Sequence, residues 1–339
     1  MGRAPSHLAL TVWSRSCNVG VAMKTVLRAL QPTGPIVARL RGLIGDRVTV
    51  ADDEAALIAA IPDAELLLIS DNLYTAELAR CLRERAPKLR WVQLLSAGYD
   101  AVARHGVPDG VVLTNAGDAY APTVATHAIA LLLGIHRQFP TFLAAQARGH
   151  WQRGLGARNA VPFGSTAAVI GFGAIGSEIG RLLQSLGARV IAVTRSGRIH
   201  PHADEAAPVG ALQTILPRVD ALVIALAASE DSRHLIGTSE LALMKRSAVL
   251  VNVARGYVVD CLALAEALRA GTIAGAGLDV TEPEPLPAGH PLWIAPNLVI
   301  TPHMAGSGGM VVAERLAEII GDNLARRLKG EPLNHVIAL

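Results

Sequence analysis

Val169-Ile170-Gly171-Phe172-Gly173-Ala174-Ile175-Gly176, followed by Val190-Ile191-Ala192-Val193-Thr194-Arg195-Ser196, decides how this chain folds. With 32 glycines in 339 residues, a bare Gly-x-Gly-x-x-Gly match means little. Its flanks give it weight. Ala167 to Ile170 reads as a short buried strand entering the turn. Ile175, Ile179, Leu182, Leu183 and Leu186 then recur on one helical face. Gly187 is placed to end that helix as a C′ residue, and Val190 to Val193 reads as the next strand. Strand, glycine turn, helix and strand in this order form a dinucleotide-binding unit. Gly171 permits the tight turn, Gly173 lets backbone approach a pyrophosphate, and Gly176 lets the helix lie close to the strand. Amides at the helix N-terminus, with Phe172, Ala174 and Ile175 in the turn, face the phosphates.

The second strand ends unusually. A site for NAD places a carboxylate there to accept from the ribose 2′-hydroxyl. Here no acid occurs from Thr194 to His202, whereas Thr194, Arg195, Ser196 and Arg198 supply hydroxyls and guanidinium groups. Guanidinium binds phosphate in a bidentate fork. The loop therefore points to a 2′-phosphate and favours NADP(H), with NAD(H) as the alternative. Only Lys24, Lys88, Lys245 and Lys329 are lysines among 31 basic residues, so any single arginine here weighs less than usual.

Composition narrows the class. The chain is 51% apolar and 17% charged, which allows a large core, and its length suits two domains. A net charge of +3 from scattered basic residues argues against a nucleic-acid surface. No apolar run is long enough to span a membrane. Cys17, Cys81 and Cys261 have neither metal nor redox spacing, and such sparse thiols fit a reducing cytoplasm. No metal is expected.

Outward from the glycine turn, the alternation of strands and helices continues on both sides. On the N-terminal side, strands are expected at Leu8 to Trp13, Val48 to Val50, Leu66 to Ser70, Leu89 to Leu95 and Val111 to Leu113. A helix from Asp53 to Ala60 is capped by Asp52 or Asp53. Thr123 to Arg137 is a helix apolar almost all round, which predicts burial between domains or subunits. Beyond the turn, strands are expected at Ala221 to Leu226, Ala248 to Val253, Ile273 to Leu278 and Leu298 to Thr301. An amphipathic helix closes the series from about Met310 to Lys329. The fold class is α/β, with parallel sheets.

Ligands of such sheets sit beyond the strand C-termini. Arg255, Glu284 and His303 each follow an expected strand; Ala225 and Val253-Ala254, at the ends of expected strands, we assign to the cofactor. Arg offers a planar fork to a carboxylate or carbonyl. His can donate a proton to a carbonyl oxygen, and a neighbouring carboxylate favours the protonated imidazole. Singly, each has an ordinary explanation: a surface arginine, a loop acid, a satisfied histidine. Three together at successive strand ends point to reduction of a carbonyl.

On these motifs the chain resembles the D-isomer-specific 2-hydroxyacid dehydrogenases over nearly its whole length. The stretches that carry the resemblance begin with Leu94 to Asp100, Thr114 to Gly117 and the glycine turn. Val251 to Asp260, Gly275 to Pro285, Pro291 to His303 and the Asn323-containing last helix complete them. The resemblance implies two doubly wound (Rossmann/flavodoxin-like) domains with the active site in the interdomain cleft. Residues 1–115 plus 307–339 would form the substrate domain and 116–306 the dinucleotide-binding domain. Arg255 would orient the 2-oxo acid, His303 would be the acid/base, and Glu284 would pair with His303. Ala97 and Gly98 amides would hold the substrate carboxylate, with Tyr99 and Asn72-Leu73 lining the pocket. Asp279 would support the nicotinamide amide or ribose. The Thr123 to Arg137 helix would form much of a homodimer interface.

The function implied is NAD(P)H-dependent reduction of small 2-oxo acids to D-2-hydroxy acids, with glyoxylate or hydroxypyruvate as model substrates. Two alternatives stand beside it. One is an NAD-linked D-2-hydroxyacid or phosphoglycerate-type dehydrogenase of the same family, of which the allosteric phosphoglycerate type is less expected because no regulatory domain follows the last helix. The other is a non-catalytic dinucleotide sensor, which would not need Arg255, Glu284 and His303 together. The chain also departs from the family pattern. Thr126 stands where Glu is usual, Ala227-Ala228-Ser229 replaces a Pro-containing loop, and Gly308-Gly309 follows His303 where larger residues are common.

Overall fold

The expected strands assemble into two separate parallel sheets. A computed structural model of the chain describes residues 23–31, 33–154, 160–227 and 229–339. The expected strand at Leu8 to Trp13, Cys17 and Ala228 lie outside the described residues. The described chain divides into two units. One holds the residues up to Ser96, with Ala101–Asn115 and Ala313–Leu339; the other holds Ala97–Asp100 and Ala116–Val312.

In the first unit the elements run β1 (Thr25–Arg28), α1 (Pro35–Ile44), β2 (Val48–Val50), α2 (Glu54–Ala60), β3 (Leu66–Ile69), α3 (Ala76–Arg85), β4 (Trp91–Leu94), α4 (Asp100–His105) and β5 (Val112–Thr114). The sheet order is β2-β1-β3-β4-β5, all parallel. β1 was not expected, because four residues with a threonine and an arginine carry no clear period. Asp53 caps α2 by accepting from the Ala56 amide at 2.7 Å, and the neighbouring Asp52 is not needed for it. Asp71, nearly buried, accepts from the Ala101 and Val102 amides at 3.0 Å each and so anchors the start of α4.

The second unit runs α5 (Ala121–His136), α6 (Phe139–Ala147), β6 (Thr166–Ile170), α7 (Ala174–Ser185), β7 (Arg189–Thr194), β8 (Glu205–Pro208), α8 (Leu212–Ile215), β9 (Ala221–Ile224), α9 (Thr238–Leu243), β10 (Val249–Asn252), α10 (Cys261–Ala270), β11 (Gly275–Leu278) and β12 (Leu298–Ile300). A last helix, α11 (Gly309–Lys329), sends Ala317, Ile320 and Leu324 into the first unit's core beside Leu27, Leu68 and Trp91. The second sheet has the order β12-β11-β10-β9-β6-β7-β8, again all parallel. β8 was missed because Glu-Ala-Ala-Pro is not an apolar run; its proline is tolerated at a sheet edge.

Alternate residues of the second sheet enter two cores. Ala168, Ile170, Ile191, Val193, Leu222, Ile224 and Leu250 face α8, α9 and α10. Val169, Val190, Val223, Val249 and Val251 face α5 and α7. Burial on both faces explains why these strands read as continuous apolar runs. It also explains the all-round apolar helix. α5 packs on α7, β10 and β11. Its approach relies on small residues in β11: a Cβ at Gly275 would lie 2.5 Å from Ile135 Cγ2, and one at Gly277 2.9 Å from Leu131 Cβ. Much of the burial assigned in advance to an interface is therefore internal to this unit.

One register feature positions the site. Val193, Ile170, Ile224, Asn252, Leu278 and Ile300 are paired in sequence across β7, β6, β9, β10, β11 and β12. The six strands therefore end within one residue of one another, β7 running one further to Thr194. Thr194, Gly171, Ala225, Val253, Asp279 and Thr301 stand side by side at that edge.

Candidate active site and dinucleotide cradle

The level edge turns sequence order into a spatial row. Following the strand order, the loop after β12 carries His303, that after β11 carries Asp279 and Glu284, and that after β10 carries Arg255. Ala225, the glycine turn and the Arg195 loop follow. At about 4.8 Å per strand, the row from β12 to β7 spans roughly 24 Å.

The three glycines have separate tasks. Gly171 has φ +87°, and a Cβ there would lie 2.4 Å from Leu226 Cα. At Gly176 a Cβ would lie 1.9 Å from the Gly171 carbonyl oxygen, so helix and turn touch through backbone. Around Gly173 a Cβ would meet nothing within 4 Å, and Gly173 and Ala174 are exposed. The turn thus presents open backbone at the N-terminus of α7, which has no side-chain cap. That arrangement suits a pyrophosphate. Phe172 is buried and its ring lies 5.4 Å from that of His200. Its side chain is structural, and Ile175 is half-buried on the helix.

At the end of β7, Thr194 Oγ1 accepts from the Gly197 amide at 3.1 Å, which curls the loop. Arg195, Ser196 and Arg198 are exposed on it. The first acids beyond are committed elsewhere. Asp204 accepts from the Val190 amide at 2.8 Å, and Glu205 pairs with Arg189 and Arg218 at 3.2 and 2.7 Å. Both arginines hold the Glu205 carboxylate below its usual range, Arg218 most strongly.

Asn252, fully buried at the end of β10, shapes the next loop. Its Oδ1 accepts from the Ala254 amide at 3.0 Å and its Nδ2 donates to the Arg255 carbonyl at 2.9 Å. Gly256 follows against the Thr281 carbonyl, where a Cβ would lie 1.9 Å from the oxygen. Val253 and Ala254 are buried, and Ala225 is half-buried on the neighbouring strand end. The loop thereby directs Arg255 outward. Its Nη2 donates to Asp100 Oδ2 at 2.7 Å and its Nη1 to the Ala254 carbonyl at 2.7 Å. Gly98 lies against the guanidinium, since a Cβ there would be 2.0 Å from Nη2. Ala97 and Tyr99 are half-buried in the same segment.

Asp279 is the organising carboxylate of the third loop and is 2% exposed. It accepts from Thr301 Oγ1 at 2.6 Å and from the Met304 and Ala305 amides at 2.9 Å each. His127, on α5, adds its Nε2 at 2.9 Å from Thr301 Oγ1. The segment so held contains His303, whose amide donates to the Asp279 carbonyl at 2.8 Å. His303 has φ +51°, a left-handed conformation uncommon outside glycine that marks an over-determined position. Its Nδ1 lies 2.7 Å from Glu284 Oε1, with half of each side chain exposed. The imidazole is therefore oriented through Nδ1, which leaves Nε2 to work on a ligand.

Sequence reasoning had given no task to Asp100, Asn252, His127 or Thr301. Asn252 carried a local signal, an amide at a strand end three residues before the candidate Arg255. The others act across long separations. The Gly308 departure also has a structural reason. A Cβ there would lie 2.4 Å from Thr123 Cγ2 and 2.5 Å from Val312 Cγ2, so the small residue permits close packing.

Residues 129–305 match the family model described as "D-isomer specific 2-hydroxyacid dehydrogenase, NAD binding domain". A glyoxylate reductase of Pyrococcus furiosus is 34% identical over 282 residues, covering 81% of this chain and 82% of its own. Among solved structures, a D-isomer specific 2-hydroxyacid dehydrogenase family protein of Aeromonas salmonicida superposes with TM-score 0.80 at 30% identity, covering 94% of this chain and 99% of its own. The NADPH-dependent glyoxylate/hydroxypyruvate reductase of Sinorhizobium meliloti, solved with NADP and sulfate, has TM-score 0.79 at 26% identity, covering 92% and 97%.

Proposed function

The chain belongs to the D-isomer specific 2-hydroxyacid dehydrogenase family, NAD(P)-dependent oxidoreductases acting on CH–OH donors, and we propose that it is an NADPH-preferring reductase of small 2-oxo acids such as glyoxylate and hydroxypyruvate. The observation that carries this reading is the row of level strand ends. It puts the His303–Glu284 pair and Arg255 on the same sheet edge as the open glycine turn.

When bound, the reduced nicotinamide supplies a hydride to the carbonyl carbon of the substrate. The residues of the chain do the rest. The turn at Gly171 to Gly176 and the N-terminus of α7 hold the pyrophosphate; Thr194, Arg195, Ser196 and Arg198 take the 2′-phosphate. Ala225, Val253, Ala254 and Asp279 border the nicotinamide end. Ala97, Gly98 and Tyr99 meet the substrate beside Arg255, whose fork orients it and polarises its carbonyl. His303, oriented by Glu284, holds the proton at Nε2 and delivers it to the carbonyl oxygen, which becomes a hydroxyl while the carboxylate keeps its charge.

The NADP preference is supported by the absence of acids from Thr194 to His202 and by the engagement of Asp204 and Glu205 elsewhere. A homodimer is supported by the exposure of Phe139 (57%) and Leu143 (61%) on α6. A cytoplasmic setting is supported by the free, buried Cys81 and Cys261. Among the described residues no single helix is long and apolar enough to cross a membrane.

The test is a screen of 2-oxo acids with NADPH and NADH in parallel. We expect glyoxylate or hydroxypyruvate to be reduced with a clear NADPH preference. Failure to reduce any 2-oxo acid overturns the reading, and an NADH preference overturns its cofactor half.

A further inference from the structure

The guanidinium of Arg255 is held on a side edge. Its Nε lies 3.3 and 3.2 Å from the two carboxylate oxygens of Asp100, and Nη2 lies 2.7 Å from Oδ2. Nη1 is turned towards the Ala254 carbonyl, and Gly98 closes over Nη2. Both partners are partly exposed, at 26% for Arg255 and 34% for Asp100. The contact is therefore on the accessible side of the loop, where packing does not require an ion pair. Asp100 opens α4 and belongs to the second unit, as Arg255 does.

Two consequences follow from this geometry. With the Nε–Nη2 edge taken by Asp100 and Nη1 directed to the Ala254 carbonyl, the plane of the guanidinium is set before the substrate arrives. The pair also carries no net charge. A single substrate carboxylate can still be bound by directed hydrogen bonds, including those from backbone amides. A second carboxylate on the substrate gains no net attraction from Arg255 and is repelled by Asp100. We infer that Asp100 is a positioning and specificity residue, which sets the Arg255 fork and restricts the site to 2-oxo acids bearing one carboxylate. This rests on the reading of Arg255 as the substrate arginine.

The experiment compares the wild type with Asp100→Asn, Asp100→Glu and Arg255→Lys. It measures steady-state kinetics on glyoxylate and on the dicarboxylate 2-oxoglutarate, and NADPH affinity by fluorescence titration. For Asp100→Asn we expect kcat on glyoxylate to fall about tenfold to a hundredfold, since the fork loses its orientation. The ratio of kcat/KM for 2-oxoglutarate over glyoxylate should rise about tenfold. NADPH affinity should not change, and Asp100→Glu should restore the wild-type ratio. A merely structural role would not move the substrate ratio. Asp100→Asn with wild-type kcat and ratio overturns the inference; a lowered kcat with an unmoved ratio overturns its specificity half. Wild-type kinetics in Arg255→Lys would instead overturn the assignment of Arg255 itself. A damaged Arg255→Lys beside an unaffected Asp100→Asn leaves that assignment standing and sinks only the role of Asp100.

Discussion

In the first unit the chain leaves β1 through Ala29, Leu30 and Gln31 and reaches Gly34 before α1 begins at Pro35; in the second it leaves β6 through Gly171-Phe172-Gly173, and α7 begins at once at Ala174. Both are strand-to-helix steps from an inner strand of a parallel sheet. Gly34 has an ordinary φ of −73°, and a Cβ built there would lie 3.1 Å from Gln31 Cβ, a tight contact that a small shift relieves. Gly171 has φ +87°, and Gly176 packs against its carbonyl. The difference teaches that a parallel α/β sheet does not by itself make a dinucleotide site. What makes one is a turn so short that backbone must stand where side chains would, which brings the helix N-terminus against the strand end.

Five substitutions put this contrast at risk. His303→Ala tests the chemistry of the second sheet alone: kcat should fall about 10²- to 10⁴-fold with NADPH affinity unchanged, and unchanged turnover would remove His303 from the mechanism. Gly176→Ala tests the turn. A methyl 1.9 Å from a backbone oxygen must displace α7, so a loss of about 2–3 kcal/mol in denaturant unfolding and weaker NADPH binding are expected. Gly34→Ala in the first unit should leave NADPH affinity at the wild-type value; equal effects of the two would erase the contrast. Arg195→Asp should move the NADPH-to-NADH preference ratio about tenfold towards NADH, through loss of a charge-assisted bond. An unmoved ratio would show that the loop does not read the 2′-phosphate. Smallest is Asp53→Ala, which removes the α2 cap and should cost about 1 kcal/mol in stability with kcat unchanged.

Some of the site was legible because its signals are local. Val169 to Gly176 and Ile179 to Leu186 lie within one strand–turn–helix unit, where period and glycine spacing suffice. Arg255, Glu284 and His303 could be singled out as candidates because each follows a strand. β1 and β8 escaped because each is only four residues long and carries polar or proline residues. Asp100 was visible as a letter but not as a partner, since 155 residues separate it from Arg255. His127 and Thr301 are 174 apart, and nothing in either neighbourhood announces the other.

The sequence by itself determined the α/β class, the glycine turn and the order of chemical groups along the chain. Each depends on backbone geometry and side-chain periodicity over a few residues. Packing fixed the rest: that six strands end within one residue of one another, that Asp279 holds the His303 segment, and that Arg255 faces Asp100. Those facts depend on register and on which loops meet in space, and both are set by the packing of the whole unit.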